Sequence, residues 1–243
     1  MPLSFDALLP DRDAEGKQWK TLYLLHGFGG DRNDWLLKTR LTRIVEGSMV
    51  NGCPLMVILP EGNNSFFVNL PNGHDYSDFL CEELIDFIGN NFPVSAGRED
   101  RLIAGFGMGG YGAFLQALSH PEKFSAAAAF EAPFDIGRYY QRALLPANMS
   151  LCMEQIFGRE ENFKGSGKDL FFLAEKCAKK EKTDLLLYHE NGGPFEQDYD
   201  LFYSHVRNSG FPGIHHAVLP GKGWEFAESA LGDMLARLNG GGE

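Results

Sequence analysis

The sequence is poor in cysteine and in positive charge, and it contains no repeat, no low-complexity tract before its Gly-rich last residues and no long apolar run. No stretch reaches the roughly 18 apolar residues that a membrane span needs. The four cysteines, Cys53, Cys81, Cys152 and Cys177, are widely spaced and form no CxxC pair. That excludes a zinc knuckle or a redox dithiol, and a chain of this size needs no disulfide framework; free thiols in a reducing compartment are expected. The formal net charge of −11 excludes nucleic acid as a partner, because phosphates would be repelled. Met1 to Asp6 lacks the basic and apolar regions of a secretory signal. The expectation is a soluble, cytoplasmic chain with neither membrane nor nucleic acid as partner; self-association is left open.

What the sequence does have is a regular alternation. The 243 residues suit one sizeable domain over 1–243. Apolar runs at Thr21–Leu25, Leu55–Leu59, Arg101–Phe106, Ser125–Phe130, Asp184–Tyr188 and Ile214–Leu219 have the length and character of strands buried on both faces. Between them, Phe79–Phe87, Tyr111–Leu118, Tyr199–Val206 and Trp224–Leu238 place apolar residues at helical spacing. Strands and helices in this order predict a mostly parallel, doubly wound α/β sheet. Ligands of such sheets sit beyond the C-terminal strand ends, where the glycine clusters fall. Residues 137–182 are too long for a simple crossover and read as a cap-like helical insertion.

The sharpest motif is Gly105-Phe106-Gly107-Met108-Gly109-Gly110, after a predicted strand and before a predicted helix. This is the strand–turn–helix context of the G-x-S-x-G nucleophile elbow, with glycine at the centre instead of serine. A dinucleotide loop and a plain tight turn are the competing readings; the first lacks the full fingerprint and stands mid-chain. Around the elbow, Tyr23 to Gly30 with Asp34-Trp35, Pro60-Glu61-Gly62 with Asn64-Ser65-Phe66, and Ile103 to Ala113 resemble the esterase D and tributyrin-esterase family. So do Glu82-Glu83-Leu84, Phe92-Pro93 and Arg98-Glu99. The relatives of that family include S-formylglutathione hydrolases and feruloyl esterases. The resemblance spans nearly the whole chain, is weakest over the insertion, and implies an α/β-hydrolase fold.

It also implies where a catalytic triad would stand. The family's serine falls on Gly107. Its acid, after the strand at Asp184–Tyr188, falls on Gly193. Its histidine falls on Lys222, or on Gly223 if the loop shifts by one, and no histidine follows His216. A triad needs a base to take the serine proton and a carboxylate to hold that base in one tautomer. Gly107 offers no attacking atom, and an exposed lysine is protonated at neutral pH. What the resemblance retains is the oxyanion hole, the backbone N–H groups of Phe28 and Met108, the latter opening a helix.

Other candidates are weaker. His26 reads as a loop-holding residue, and His215 and His216 alternate in the last strand, facing opposite helix layers. Glu131, just past the fourth strand, is a spare carboxylate expected to bond the Lys222 region or a ligand. His74 lies on a loop within reach of the pocket. Trp35, Phe66 and Trp224 are candidates for its walls or for the core. No cofactor and no metal site is read from these residues. The leading reading is a catalytically degenerate esterase homologue that binds a small ester, acid or acylated ligand. An ester hydrolase using non-standard residues and a surface interaction module are the alternatives.

Overall fold

Alternate residues of the apolar runs face opposite sides, so a strand buried on both faces needs helices on both. In β2 (Lys20–Leu25), buried throughout, Leu22 and Leu24 join one apolar cluster while Tyr23 and Leu25 join the other. The structure is a computed structural model and describes residues 3–10, 17–46, 49–50, 52–141, 153–178 and 183–240. Its strands form one sheet in the order β1-β4-β2-β5-β6-β7-β8, with β3 pairing β4. Here β1 is Phe5–Leu8, β3 Met49–Val50, β4 Cys53–Pro60, β5 Arg101–Phe106, β6 Ala126–Phe130, β7 Asp184–Glu190 and β8 Ile214–Leu219. β1 and β3 lie antiparallel to β4; all other pairs are parallel.

One face is covered by α1 (Asp34–Lys38), α2 (Leu41–Val45) and the long C-terminal α9 (Gly223–Leu238). The other carries α3 (Tyr76–Asp78), a π-helical stretch Phe79–Leu84 and α4 (Ile85–Asn91), with α5 (Met108–Ser119), α7 (Leu170–Cys177) and α8 (Glu196–Asn208). The periodicity predicts an ordinary helix over Phe79–Phe87, and the observed helix is wider there. Lys123 Nζ donates to the Cys81 carbonyl at 2.6 Å, diverting one of the helix's own acceptors. The predicted strands each appear with every end within two residues of its expected position: β2, β4 and β7 are longer, β5 and β8 as expected, and β6 starts one residue later, at Ala126. β1 and β3 escaped prediction because they are short edge strands without a long apolar run. β8 is only half-buried, as the opposite edge of the sheet.

Within the predicted insertion, α6 (Ile136–Gln141) and α7 bracket the segment. Residues 142–152 and 179–182 lie outside the described residues. Phe157 packs its ring 5.0 Å from Phe66 and 5.5 Å from Tyr111, so the insertion rests on the start of α5.

β5 and α5 approach closely because the residues between them are small. A Cβ on Gly105 would stand 2.3 Å from the Gly109 carbonyl carbon, and one on Gly109 would stand 2.5 Å from the Leu25 carbonyl oxygen. Backbone cannot retreat from such contacts. We expect Gly105→Ala to cost about 3 kcal/mol or more. By contrast Gly89→Ala, in α4 with open space around it, should gain about 0.5–1 kcal/mol. Urea unfolding midpoints of the two variants against the unmodified chain check the contrast; equal midpoints would refute the packing argument.

Candidate functional site

The elbow forms where β5 ends at Phe106 and α5 begins at Met108. Gly107 between them has φ 56° and ψ −115°, a backbone conformation side chains rarely adopt. Its N–H donates to the Phe130 carbonyl at 2.9 Å and its carbonyl accepts the Tyr111 N–H at 3.1 Å, so the turn is tied to β6 and to α5. A side chain on Gly107 would meet nothing within 4 Å. The position is open, at the C-terminal strand ends where an α/β sheet receives its ligand.

The loop after β2 lies against the elbow: a Cβ on Gly27 would be 3.4 Å from the Phe106 ring. His26 is fully buried, and the Gly62 N–H donates to its Nε2 at 2.9 Å. With Nε2 accepting, Nδ1 carries the proton and donates to the Gly27 carbonyl at 2.9 Å. Both ring nitrogens are thus spent on holding the loop. Asn64 accepts the Gly29 N–H at 2.7 Å, fastening the same loop to the next one. That next loop is strained, with positive φ at Asn63, Phe66 and Phe67. Phe66 is buried beneath the site, 6.0 Å from Phe28 and 5.6 Å from Tyr111.

On the other flank stands Glu131, the first residue after β6, with φ 46°. Its backbone N–H donates to the Tyr188 carbonyl at 2.9 Å. Its carboxylate accepts the Glu190 N–H at 2.6 Å and the Phe195 N–H at 3.2 Å. The next residue, Ala132, donates its N–H to the Tyr199 hydroxyl, which in turn donates to the Ala129 carbonyl. Burial pushes the Glu131 carboxyl above its usual range, against the lowering effect of the two backbone donors. The expectation that Glu131 bonds the Lys222 region is corrected here: its carboxylate faces β7 and the loop after it. Glu190 instead holds the Lys222 loop, accepting the Gly223 N–H at 2.5 Å.

Gly193 packs on that carboxylate. A Cβ there would stand 2.5 Å from Glu131 Oε1, so the space a side chain would need is filled from the neighbouring strand. Lys222 is exposed and stands in extended conformation at the N-cap of α9. The positions 107, 193 and 222 are therefore linked around one rim, through Phe130, Glu131 and Glu190.

Trp35 belongs to the core and not to a pocket wall. It is fully buried on the sheet's other face, donating its indole N–H to the Leu25 carbonyl at 3.0 Å. Trp224 stacks edge-on at 5.1 Å and also packs 4.9 Å from Phe106, so the pair supports the elbow from below. His74 sits beside Tyr76, which with Asn63 and Ile156 lines a groove of about 550 Å³. That groove includes neither the elbow nor Glu131. Sequence reasoning missed Glu190 and Tyr199, the residues that fix the rim. Glu190 carried a faint signal as a carboxylate at a strand end; Tyr199 carried none, reading only as an apolar helix position.

Among the described residues, no helix is long and apolar enough to cross a membrane. Residues 2–198 match the family described as "Putative esterase". An acetyl esterase of Caldicellulosiruptor saccharolyticus is 31% identical over 225 residues, covering 88% of this chain and 81% of that protein. Among solved structures, the Staphylococcus aureus fluorophosphonate-binding serine hydrolase FphF, with substrate bound, is 25% identical with a TM-score of 0.83, covering 98% of this chain and 99% of that one. The S-formylglutathione hydrolase FrmB of the same organism is 26% identical with a TM-score of 0.83, covering 98% and 92%. With the elbow, the parallel sheet and the matched length in agreement, the chain belongs to the esterase family of the α/β-hydrolase superfamily.

Proposed function

We propose that this esterase-family chain binds a small ester, carboxylic acid or acylated ligand at the elbow without cutting it. One observation carries the reading: the residue at the apex of the elbow is Gly107, which has the nucleophile's backbone conformation, open space above it and no attacking atom. The exposed Lys222 and the filled space beside Gly193 support it, since neither leaves an imidazole–carboxylate pair at the rim. Binding capacity is retained. The Met108 N–H opens a 12-residue helix and has no acceptor four residues back within it, so it is free by construction to meet an anion or a carbonyl oxygen. The Phe28 N–H is the second proposed donor. The ligand site is proposed in a cytoplasmic setting.

A second reading has Glu131 in its favour. A buried carboxyl whose affinity for protons is raised has the character of a general base, able to draw a proton from water attacking an ester held at the oxyanion hole. Its two backbone donors oppose this by stabilising the anion where it lies.

Hydrolysis of p-nitrophenyl acetate separates the two. We expect the unmodified chain and Gly107→Ser to stay near the buffer rate. The combination Gly107→Ser, Lys222→His and Gly193→Asp should also stay low, because the new aspartate collides with Glu131. Adding Glu131→Gly, which suits the positive φ, should raise turnover by about a thousandfold or more. Turnover by the unmodified chain on the order of one per second, abolished in Glu131→Gln, would instead establish the general-base reading. Binding is tested separately by titrating short-chain carboxylates and following backbone amide resonances. Saturable shifts at Phe28, Gly107 and Met108 are expected; a titration that leaves those three unmoved would sink the proposed pocket.

A further inference from the structure

Away from the elbow, at the far edge of the sheet, His189, His215 and His216 each have a buried Nε2 with nothing to bond, and of these His215 turns to the opposite face, beside Tyr188. His189 is the penultimate residue of β7 and 1% exposed. Its Nδ1 lies 2.9 Å from the Glu190 carbonyl, which can only accept, so Nδ1 carries the proton and Nε2 is left with a lone pair. That Nε2 is buried without a hydrogen-bond partner, and so is Nε2 of His216 on the neighbouring β8. The two rings lie 4.9 Å apart. Asp200, exposed on α8, completes a group whose ligating atoms, one from each residue, all lie within 4.8 Å of one another. Tyr199 stands 5.1 Å from the His189 ring and Tyr203 stands 5.0 Å from the His216 ring, walling the group with aromatic surface.

Buried imidazole nitrogens are normally satisfied, and two orphans side by side call for a shared partner. Among the described residues, no donor bonds either nitrogen. A cation suits the His189 lone pair and a carboxylate, and His216 can offer its Nε2 as a neutral imidazole. We propose that His189, Asp200 and His216 form a binding site for a divalent transition ion, with zinc as the best match. Two imidazoles and one carboxylate are ordinary zinc ligands, and a water would complete four-fold coordination. Ligand atoms around tetrahedral zinc stand about 3.3 Å apart, given bonds of about 2.0–2.1 Å. The group must therefore contract from separations of up to 4.8 Å, by rotation of the exposed Asp200 side chain and of the half-buried His216 ring, which now lies stacked at 25° on that of His189. The Glu190 carbonyl supplies the second contact that ligating histidines usually make through their other ring nitrogen. Bound there, the ion would tie α8 to the half-buried edge strand β8.

The test uses the full chain, free of any affinity tag and treated with chelator. Titration with zinc chloride alone, followed by calorimetry, should give one ion per chain. The melting temperature should rise by about 5 °C or more at saturating zinc. Cobalt(II) should develop the visible absorption of a four-coordinate ion. Asp200→Ala removes an exposed helical side chain, and His216→Phe keeps the ring stack while deleting the nitrogen; each should weaken binding by at least about tenfold. Absence of binding in the unmodified chain overturns the proposal. So does binding that survives both substitutions unchanged, since the ion would then sit elsewhere.

Discussion

Backbone meets backbone where β5 turns into α5, and the rest of the site is arranged around that approach. Gly105 and Gly109 have no side chains because each would drive into main-chain atoms, of α5 in one case and of the loop after β2 in the other. The contact brings the first N–H groups of α5 to the C-terminal edge of the sheet beside the loop carrying Phe28. The alanine run of β6 continues the same theme, keeping the helix low over two neighbouring strands. None of this needs a serine at the apex. The geometry that would present a nucleophile is paid for by packing elsewhere and persists when the apex is Gly107.

Glu131 is the second constraint. A non-glycine residue at positive φ carries strain of about 1–3 kcal/mol. Here it is offset by the backbone bond to Tyr188, by the two N–H groups its carboxylate accepts, and by the Tyr199 hydroxyl on the following residue. The consequence reaches Gly193, where a Cβ would stand 2.5 Å from Glu131 Oε1, so a side chain there requires that carboxylate to shift away from its two N–H donors. Positions 131 and 193 are thus mutually dependent: a side chain at 193 displaces the carboxylate of 131. A buried carboxylate is kept near the rim, but it comes from the end of β6 and is locked to β7.

Much of this was legible in the residues. The parallel strands were marked by continuous apolar runs, and the elbow by its glycine spacing, because both are local consequences of packing. The edge strands β1 and β3 were not legible, since a short strand with one neighbour needs little apolar character. Trp35 was open between pocket and core, and only its bond to Leu25 and its place on the other face decide the matter. Glu131 was visible as a spare carboxylate, but its direction was not. A turn with positive φ redirects a side chain in a way that no periodicity records. Likewise His189, Asp200 and His216 come from two strands and a helix, with no spacing that suggests a shared site.

The end of β7 joins these two regions. Strand alternation turns His189 toward Tyr199 of α8 and the next residue, Glu190, toward Gly223 at the start of α9. The Glu190 N–H meanwhile holds the Glu131 carboxylate, and its carbonyl holds the His189 ring. One residue therefore bonds the rim of the elbow, the helix behind it and the imidazole at the sheet edge. The sheet edge and the rim are thus connected through Glu190 by direct hydrogen bonds. An ion bound by His189 would act on the same residue from its other side, stiffening the strand that positions both Glu131 and the Lys222 loop.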